Sequence, residues 1–185
     1  QAEDGIRDVE RSRGLGDVYK RQFLTRRGRR LVGWDEILQG GLAPGATVMS
    51  WRGPQGGITA ANAGHDVVMA PTSHTYFDYY QGAHDKEPLA IGGNLPLEKV
   101  YSFEPVPESV APDKARHILG VQGQLWGEYI STARHRQYMA YPRAAALAEV
   151  AWSPRASKDY DDFVSRLRSH LARLDSMRVN YRKLD

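Results

Sequence analysis

Cysteine is absent from the 185 residues, and no stretch of them approaches the length of a membrane-spanning apolar segment. Without cysteine the chain has no disulfide, no thiol nucleophile and no thiolate metal site. A membrane helix needs about 18 or more consecutive apolar residues, so the sequence predicts no span. An apolar segment after a basic start, the pattern of a signal peptide, is not seen either. What is present is an ordinary globular composition, 41% hydrophobic and 25% charged.

The chain also lacks a large excess of one charge, because it has 25 Lys and Arg and 22 Asp and Glu, which gives a net charge of +3. One basic cluster lies at residues 26–30, without interleaved aromatic residues that could stack on bases. Such a short cluster is typical of a solvated helix end rather than of a nucleic-acid site. We therefore expect no nucleic-acid partner.

Residues 1–22 differ from the rest of the chain in their scattered charges and in having almost no apolar periodicity. From Glu3 onward they resemble the translation of a sequencing adapter. We therefore expect residues 1–22 to be an artefact or a disordered leader, and the folded domain to occupy residues 23–185.

Short apolar segments that end in turn residues recur along the remainder of the chain. They are Leu31–Trp34, Ala46–Trp51, Asp66–Pro71 and His117–Trp126. Helix-compatible sequence follows most of them, which predicts βα units and a parallel sheet. An eight-stranded barrel typically takes about 250 residues, so this pattern alone favours an open parallel sheet.

Two helices are predicted near the C-terminus. Residues 134–152 form one candidate helix, with a kink at Pro142. After Ser153-Pro154, apolar residues at helical spacing from Tyr160 to Leu174 predict an amphipathic helix with Ser157 as its N-cap.

Aromatic residues and carboxylates gather where the predicted strands end. These residues are Trp34 with Asp35 and Glu36, then Trp51, then Tyr76 with Asp78, and finally Trp126 with Glu128. Flat aromatic faces beside carboxylates suit a pyranose ring, whose C–H face packs on indole while its hydroxyls donate to carboxylates. The alternatives are ordinary core packing of the tryptophans and a surface loop at Ser73–Gln81.

Five motifs in order carry a family resemblance: L-V-G-W-D-E-I-L, A-T-V-M-S-W-R-G, G-H-D-V-V-M-A-P-T-S-H-T-Y-F-D-Y-Y-Q, V-Q-G-Q-L-W-G-E and Y-M-A-Y-P-R-A-A-A-L-A-E-V-A-W-S-P. Together they resemble the β-N-acetylhexosaminidases of glycoside hydrolase family 20. The resemblance implies an α/β fold in which this chain is the C-terminal half, strands five to eight, of a (β/α)8 barrel. That expectation replaces the open sheet.

The resemblance also implies a role for each residue at the strand ends. Trp34, Trp51 and Trp126 would wall the pocket for the terminal sugar. Tyr76 would donate its hydroxyl to the acetamido carbonyl oxygen, whereas Asp78 and Glu128 would accept hydrogen bonds from sugar hydroxyls. In this family the substrate's own acetamido oxygen attacks the anomeric carbon, with retention. The implied partner is a glycan with terminal N-acetylglucosamine or N-acetylgalactosamine, the implied cofactor is none, and the implied location is periplasmic or secreted in a bacterium.

The general acid of the family stands in an H-x-G-G-D-E type motif, which this chain does not contain. Asp35-Glu36 aligns instead with the strand-five motif, so we interpret this pair as supporting structure. An aromatic residue for the leaving-group site is not identified between His84 and Tyr101. We therefore expect the chain to need the N-terminal half of the barrel and to be inactive alone. The alternative is a non-catalytic module that binds N-acetylhexosamine.

Histidines at positions 65, 74 and 84 raise the question of a metal site. His74 and Asp78 are four residues apart, but no helix and no further clustered ligand is predicted there. We interpret these histidines as polar loop residues and expect no metal.

Overall fold

The computed structural model describes residues 19–184. These residues form two compact units, which we name by their main content. The sheet unit comprises residues 19–69 and 106–120, and the helical unit comprises residues 70–105 and 121–184.

The sheet unit contains four parallel strands in the order β1-β2-β3-β4. Their bounds are Val32–Trp34 for β1, Thr47–Ser50 for β2, Val67–Met69 for β3 and Ile118–Val121 for β4, and the division between the units falls after Gly120 within β4. Gly33 lies opposite Val48, and Met49 lies opposite Val68. Sequential order and parallel direction are what consecutive βα units produce.

Helices cover and connect these strands. Helix α1 occupies residues 19–26, and α2 spans Gln55–Asn62, with 3₁₀ turns at Asp35–Gly40 and Pro112–His117. The predicted division after residue 22 falls within α1. Residues 1–18 lie outside the described residues, so the interpretation of residues 1–22 stays a prediction.

Helix α2 packs on the sheet through a glycine. Val48, Val67 and Met69 are fully buried. A Cβ atom at Gly57 would lie 2.5 Å from the sulfur of Met69 and 3.1 Å from Val67. Because carbon atoms cannot approach that closely, only glycine lets the helix lie at this distance from β3.

The helical unit contains five helices in its described residues. They are α3 at Thr72–Thr75, α4 at Leu97–Tyr101, α5 at Ala133–Ala140, α6 at Arg143–Trp152 and α7 at Tyr160–Ser176. Helix α7 buries Phe163, Leu167, Leu171 and Leu174, as its apolar spacing predicts. Within residues 19–184, every helix is either too short or too polar to cross a membrane.

Two predictions about the helices are wrong. The single helix over residues 134–152 is two helices, because Tyr141 has an extended backbone at φ −105° and ψ 140°. Proline disfavours the helical conformation of the residue before it, so Pro142 ends α5 instead of kinking a longer helix. The N-cap of α7 is Asp159, whose carboxylate accepts a 3.0 Å hydrogen bond from the Asp162 N–H, and Ser157 lies in a preceding 3₁₀ turn.

Candidate active site

The six residues predicted to contact the sugar are divided between the two units. Trp34 and Trp51 belong to the sheet unit. The other four, Tyr76, Asp78, Trp126 and Glu128, belong to the helical unit. Each group is built by a different kind of contact.

Trp34 and Trp51 lie at the carboxyl ends of neighbouring strands. Trp34 is the last residue of β1, and Trp51 directly follows β2. Both side chains are partly exposed. In parallel α/β sheets this is the edge at which ligands bind, so the fold places both indoles at the binding edge of the sheet.

Asp35 fixes the main chain at Trp51. Its carboxylate is 2% exposed and accepts hydrogen bonds from the Trp51 N–H and the Arg52 N–H, each at 3.2 Å. The guanidinium Nε of Arg52 donates to the other carboxylate oxygen at 2.6 Å. Both oxygens of this buried carboxylate therefore accept hydrogen bonds from Trp51 and Arg52, and Asp35 acts as a structural anchor.

Glu36 orients the indole of Trp51. The indole N–H lies 3.1 Å from each oxygen of the Glu36 carboxylate. Indole nitrogen can only donate, so this contact sets the rotation of the ring. The contacts of Asp35 and Glu36 agree with their interpretation as a supporting pair.

Tyr76 ends the short helix α3 and is 8% exposed. It forms an isolated parallel bridge with Gln124, in which Phe77 N–H donates to the Gln124 carbonyl at 2.8 Å. The Gln124 N–H donates in turn to the Thr75 carbonyl at 2.8 Å. This bridge holds the Tyr76 loop against the segment that leads to Trp126.

Asp78 is a buried carboxylate that is left partly unsatisfied. It is 4% exposed, and its Oδ1 has no hydrogen-bond partner among residues 19–184. Burial, with a further contribution from the negative charge of Glu128, raises the pKa of Asp78 to about 6, against the opposing effects of its own N–H and of Arg143. A buried acceptor without a partner is rare in folded proteins, so this oxygen is a candidate contact for a ligand or a water molecule.

Trp126 and Glu128 lie on the segment that follows β4 and Gln124. Trp126 is 42% exposed, and Glu128 is also exposed. Gln124, two residues before Trp126, is buried, and its Nε2 has no hydrogen-bond partner in the described residues. Among its described residues, the helical unit therefore holds an unsatisfied donor on Gln124 and an unsatisfied acceptor on Asp78. Each lies two residues from a predicted sugar contact, Trp126 and Tyr76 respectively.

A sequence profile described as glycosyl hydrolase family 20, catalytic domain, matches residues 8–155, which is more than half of the chain. The chain belongs to glycosyl hydrolase family 20.

Curated relatives of this family-20 chain are longer than it is. A beta-hexosaminidase from Porphyromonas gingivalis is 49% identical over 180 residues, which cover 97% of this chain and 23% of that relative. A beta-N-acetylhexosaminidase from Cellulomonas fimi is 34% identical over 170 residues, which cover 89% of this chain and 33% of the relative. The chain thus spans about a quarter to a third of these relatives.

Solved family-20 structures share its fold. An exo beta-N-acetylglucosaminidase from Vibrio harveyi, in complex with N-acetylglucosamine, aligns with a TM-score of 0.79 and 37% identity over 88% of this chain and 26% of that chain. A beta-N-acetylhexosaminidase from Streptomyces coelicolor aligns with a TM-score of 0.78 and 25% identity over 89% of this chain and 34% of that chain. With the parallel sheet, this likeness confirms the prediction of an α/β fold that is the incomplete C-terminal half of a (β/α)8 barrel.

Sequence reasoning missed two residues of this family-20 chain. Gln124 stands in the V-Q-G-Q-L-W-G-E motif without a predicted role, and only the structure shows that its buried Nε2 has no hydrogen-bond partner among residues 19–184. Arg143 was not singled out either, although an arginine within an Ala-rich helix after a proline is an available signal. It is fully buried and hydrogen-bonds to the Tyr76–Asp78 loop.

The three histidines each contact a neighbouring group of the protein. His65 Nδ1 lies 3.1 Å from the Ala46 carbonyl, His74 stacks on Phe103, and His84 stacks on Tyr80. Within residues 19–184 no group of three or more His, Asp or Glu side chains is arranged to hold a metal ion.

Proposed function

We propose that this chain forms the C-terminal half of the catalytic barrel of an exo-β-N-acetylhexosaminidase, which releases terminal N-acetylglucosamine or N-acetylgalactosamine from glycans. The observation that carries the proposal is the buried carboxylate of Asp78, in the loop of Tyr76, whose Oδ1 has no hydrogen-bond partner within residues 19–184. Family membership and 49% identity to a protein named beta-hexosaminidase support the choice of reaction.

Tyr76 is the group that we assign to the reacting atoms. Its hydroxyl donates a hydrogen bond to the carbonyl oxygen of the substrate's 2-acetamido group. That oxygen attacks the anomeric carbon as the glycosidic C–O bond breaks, and the product is an oxazolinium ion. Water then opens this intermediate, so the anomeric configuration is retained. A fixed donor lowers the barrier because it holds the attacking oxygen in line before the reaction starts.

Asp78 and Glu128 accept hydrogen bonds from hydroxyls of the same sugar. Asp78 must be ionised to use both carboxylate oxygens as acceptors. Because the pKa of Asp78 is raised to about 6 by burial, we expect sugar affinity to weaken as the pH falls through that value. Ionised Asp78 and Glu128 also repel each other, and binding sugar hydroxyls relieves that repulsion.

Trp34, Trp51 and Trp126 supply apolar walls. The C–H face of a pyranose packs on indole, and walls of this kind exclude water that would compete with the acetamido oxygen. The contacts of Trp51 with Asp35 and Glu36 support this role, because they fix its main-chain N–H and its indole N–H.

The general acid that protonates the leaving oxygen is assigned to a part of the protein outside this chain. We therefore expect residues 23–185 alone to hydrolyse nothing, and the full-length protein to be active. A periplasmic or secreted location also stays a prediction, which the family resemblance supports.

The test replaces Tyr76 in the full-length protein that carries this chain. Tyr76→Phe removes one hydroxyl and should reduce kcat for an aryl N-acetyl-β-glucosaminide by about 10²-fold, the usual effect of losing one transition-state donor. Tyr160→Phe is the matched control, because this half-exposed tyrosine of α7 packs on Phe163 and should leave the rate unchanged. An unchanged rate in Tyr76→Phe would overturn the assigned role.

The same assay separates the enzyme from the alternative of a non-catalytic binding module. A full-length protein that binds N-acetylglucosamine but releases no aryl alcohol from the substrate is a binding module. Measurable turnover with retained configuration in the first product, read by proton NMR, supports the enzyme.

A further inference from the structure

Arg143 is the largest fully buried side chain among the described residues of the helical unit and the first residue of α6. Its guanidinium donates to four main-chain carbonyls and to no carboxylate among the described residues. The Nε atom has no partner there. This is an unusual environment for a permanent positive charge.

Burying such a charge is unfavourable unless its donors are satisfied. Loss of hydration lowers the pKa of Arg143 to about 9, so the side chain stays charged at neutral pH. A well-packed apolar residue in the same place would avoid this cost.

Two of the four acceptors flank Asp78. Nη2 of Arg143 donates to the Phe77 carbonyl at 2.5 Å, and Nη1 donates to the Tyr79 carbonyl at 3.0 Å. One planar guanidinium thus hydrogen-bonds to the main chain on both sides of the buried carboxylate. Because the fork of a guanidinium is rigid, the two carbonyls are held at a fixed separation and direction.

The other two acceptors anchor the guanidinium itself. Nη1 also donates to the Leu95 carbonyl at 3.0 Å, and Nη2 donates to the Met139 carbonyl near the end of α5 at 2.7 Å. The Leu95 N–H donates to the Tyr80 carbonyl at 2.8 Å, so the segment after the loop is tied into the same cluster. The Asp78 loop is therefore fixed to α5 and α6 rather than left to solvent.

We propose that Arg143 is a positioning residue, which fixes the main chain on both sides of Asp78 and so aims that carboxylate at a sugar hydroxyl without touching the sugar itself. The proposal rests on the proposed function, because Asp78 needs a ligand to be aimed at. The Asp78 carboxylate contacts the sugar hydroxyl, and Arg143 fixes the orientation of that carboxylate.

Charged groups around the pair give the proposal a second readout. Glu87, which accepts from Arg182 at 2.6 Å and from the Tyr138 hydroxyl at 3.0 Å, faces Arg143 together with Asp78. Glu128 and Arg143 act on Asp78 in opposite directions. Removing the positive charge of Arg143 should therefore raise the pKa of Asp78 further, whereas an arginine whose charge does not reach Asp78 would leave that pKa unchanged.

The experiment compares Arg143→Gln and Arg143→Lys in the full-length protein, with kcat/KM measured against pH. Glutamine removes the charge and most donors, and should lower kcat/KM by about 10²-fold, as a small misplacement of a binding group can. It should also shift the acidic limb of the profile to higher pH. Lysine keeps the charge but not the planar fork, so it should leave the limb in place and lower kcat/KM by about tenfold.

Arg166→Gln is the matched control. Arg166 pairs with Glu149 and Asp162 on the exposed side of α7 and makes none of the loop contacts. It should lower the melting temperature without moving the pH profile. The proposal is overturned if either folded Arg143 variant keeps the wild-type kcat/KM, and the lysine variant alone decides if the glutamine variant does not fold.

Failure of the proposed function gives a different result. In that case the wild-type protein hydrolyses no aryl N-acetylglucosaminide at all. The effect of Arg143 on Asp78 is then measured by NMR titration of the Asp78 carboxyl carbon, assigned with Asp78→Asn. A rise of that pKa in Arg143→Gln supports the coupling of the two residues, and an unchanged pKa overturns it.

Discussion

Asp35 in the sheet unit and Asp78 in the helical unit are both buried aspartates, at 2% and 4% exposure. Asp35 accepts three hydrogen bonds, including one from a guanidinium. Asp78 keeps one oxygen without any partner in the described residues. Both carboxylate oxygens of Asp35 thus accept hydrogen bonds, whereas one oxygen of Asp78 accepts none from the described residues.

The difference lies in where the local arginine points. Arg52 donates directly to the Asp35 carboxylate, whereas Arg143 donates to the carbonyls that flank Asp78. The first arrangement stabilises the fold and engages both carboxylate oxygens of Asp35 in hydrogen bonds. The second holds the acid in place and leaves it available, which is what a ligand-binding carboxylate requires. Substitutions of these aspartates should consequently act in opposite directions on stability.

Asp35→Ala should have the largest effect on stability. It removes three hydrogen bonds from a buried site, so we expect the free energy of unfolding to fall by about 3 kcal/mol. Differential scanning calorimetry of the full-length protein measures the change. Asp113→Ala is the control, because the Asp113 side chain is 73% exposed and its carboxylate lies 4.0 Å from the Lys114 ammonium. A loss no larger than that of the control would show that Asp35 is not a structural anchor.

Asp78→Asn should stabilise the protein while weakening sugar binding. Since the folded-state pKa of about 6 exceeds the ordinary value of 3.8, the native state holds its proton more tightly than the unfolded chain. Stability contributed by the protonated form is then lost as the pH rises from about 4 to about 6, leaving a penalty of roughly 3 kcal/mol above that range.

The asparagine variant removes that penalty but adds buried amide donors, so we expect a net gain of about 1–2 kcal/mol near pH 8 and none near pH 4. Calorimetry at both pH values measures it, and isothermal titration with N-acetylglucosamine should show weaker binding. Asp161→Asn, at an exposed position of α7, is the control. A variant that is destabilised near pH 8 would contradict an unsatisfied Asp78.

The strands and the residues at their ends were predictable because each depends on a short local pattern. Trp34, Trp51 and Trp126 stand beside apolar runs in the printed sequence, and their motifs identify the family. The family also corrected the open sheet to half of a barrel, which four strands alone could not show.

What the sequence could not predict depends on contacts between distant residues. Arg143 lies 64 residues from Tyr79 and 66 from Phe77, and no local pattern links them. The same holds for the unpartnered Asp78 oxygen, because burial of one atom is a property of the assembled fold. The break at Tyr141 was within reach, since proline restricts the residue before it.

Glu36→Ala should have the smallest effect on stability. It tests whether Glu36 orients the indole ring of Trp51. Glu36 is exposed, and its side-chain hydrogen bonds within the described residues come from the indole N–H of Trp51, so we expect a loss of about 0.5–1 kcal/mol or less in stability. The ring would then rotate more freely, and affinity for N-acetylglucosamine should fall severalfold. Glu36→Gln is the matched control, because its amide oxygen can still accept from the indole and should preserve affinity. If alanine and glutamine behave alike, Glu36 does not orient Trp51, and the orientation comes from the Asp35 contacts to the main chain alone.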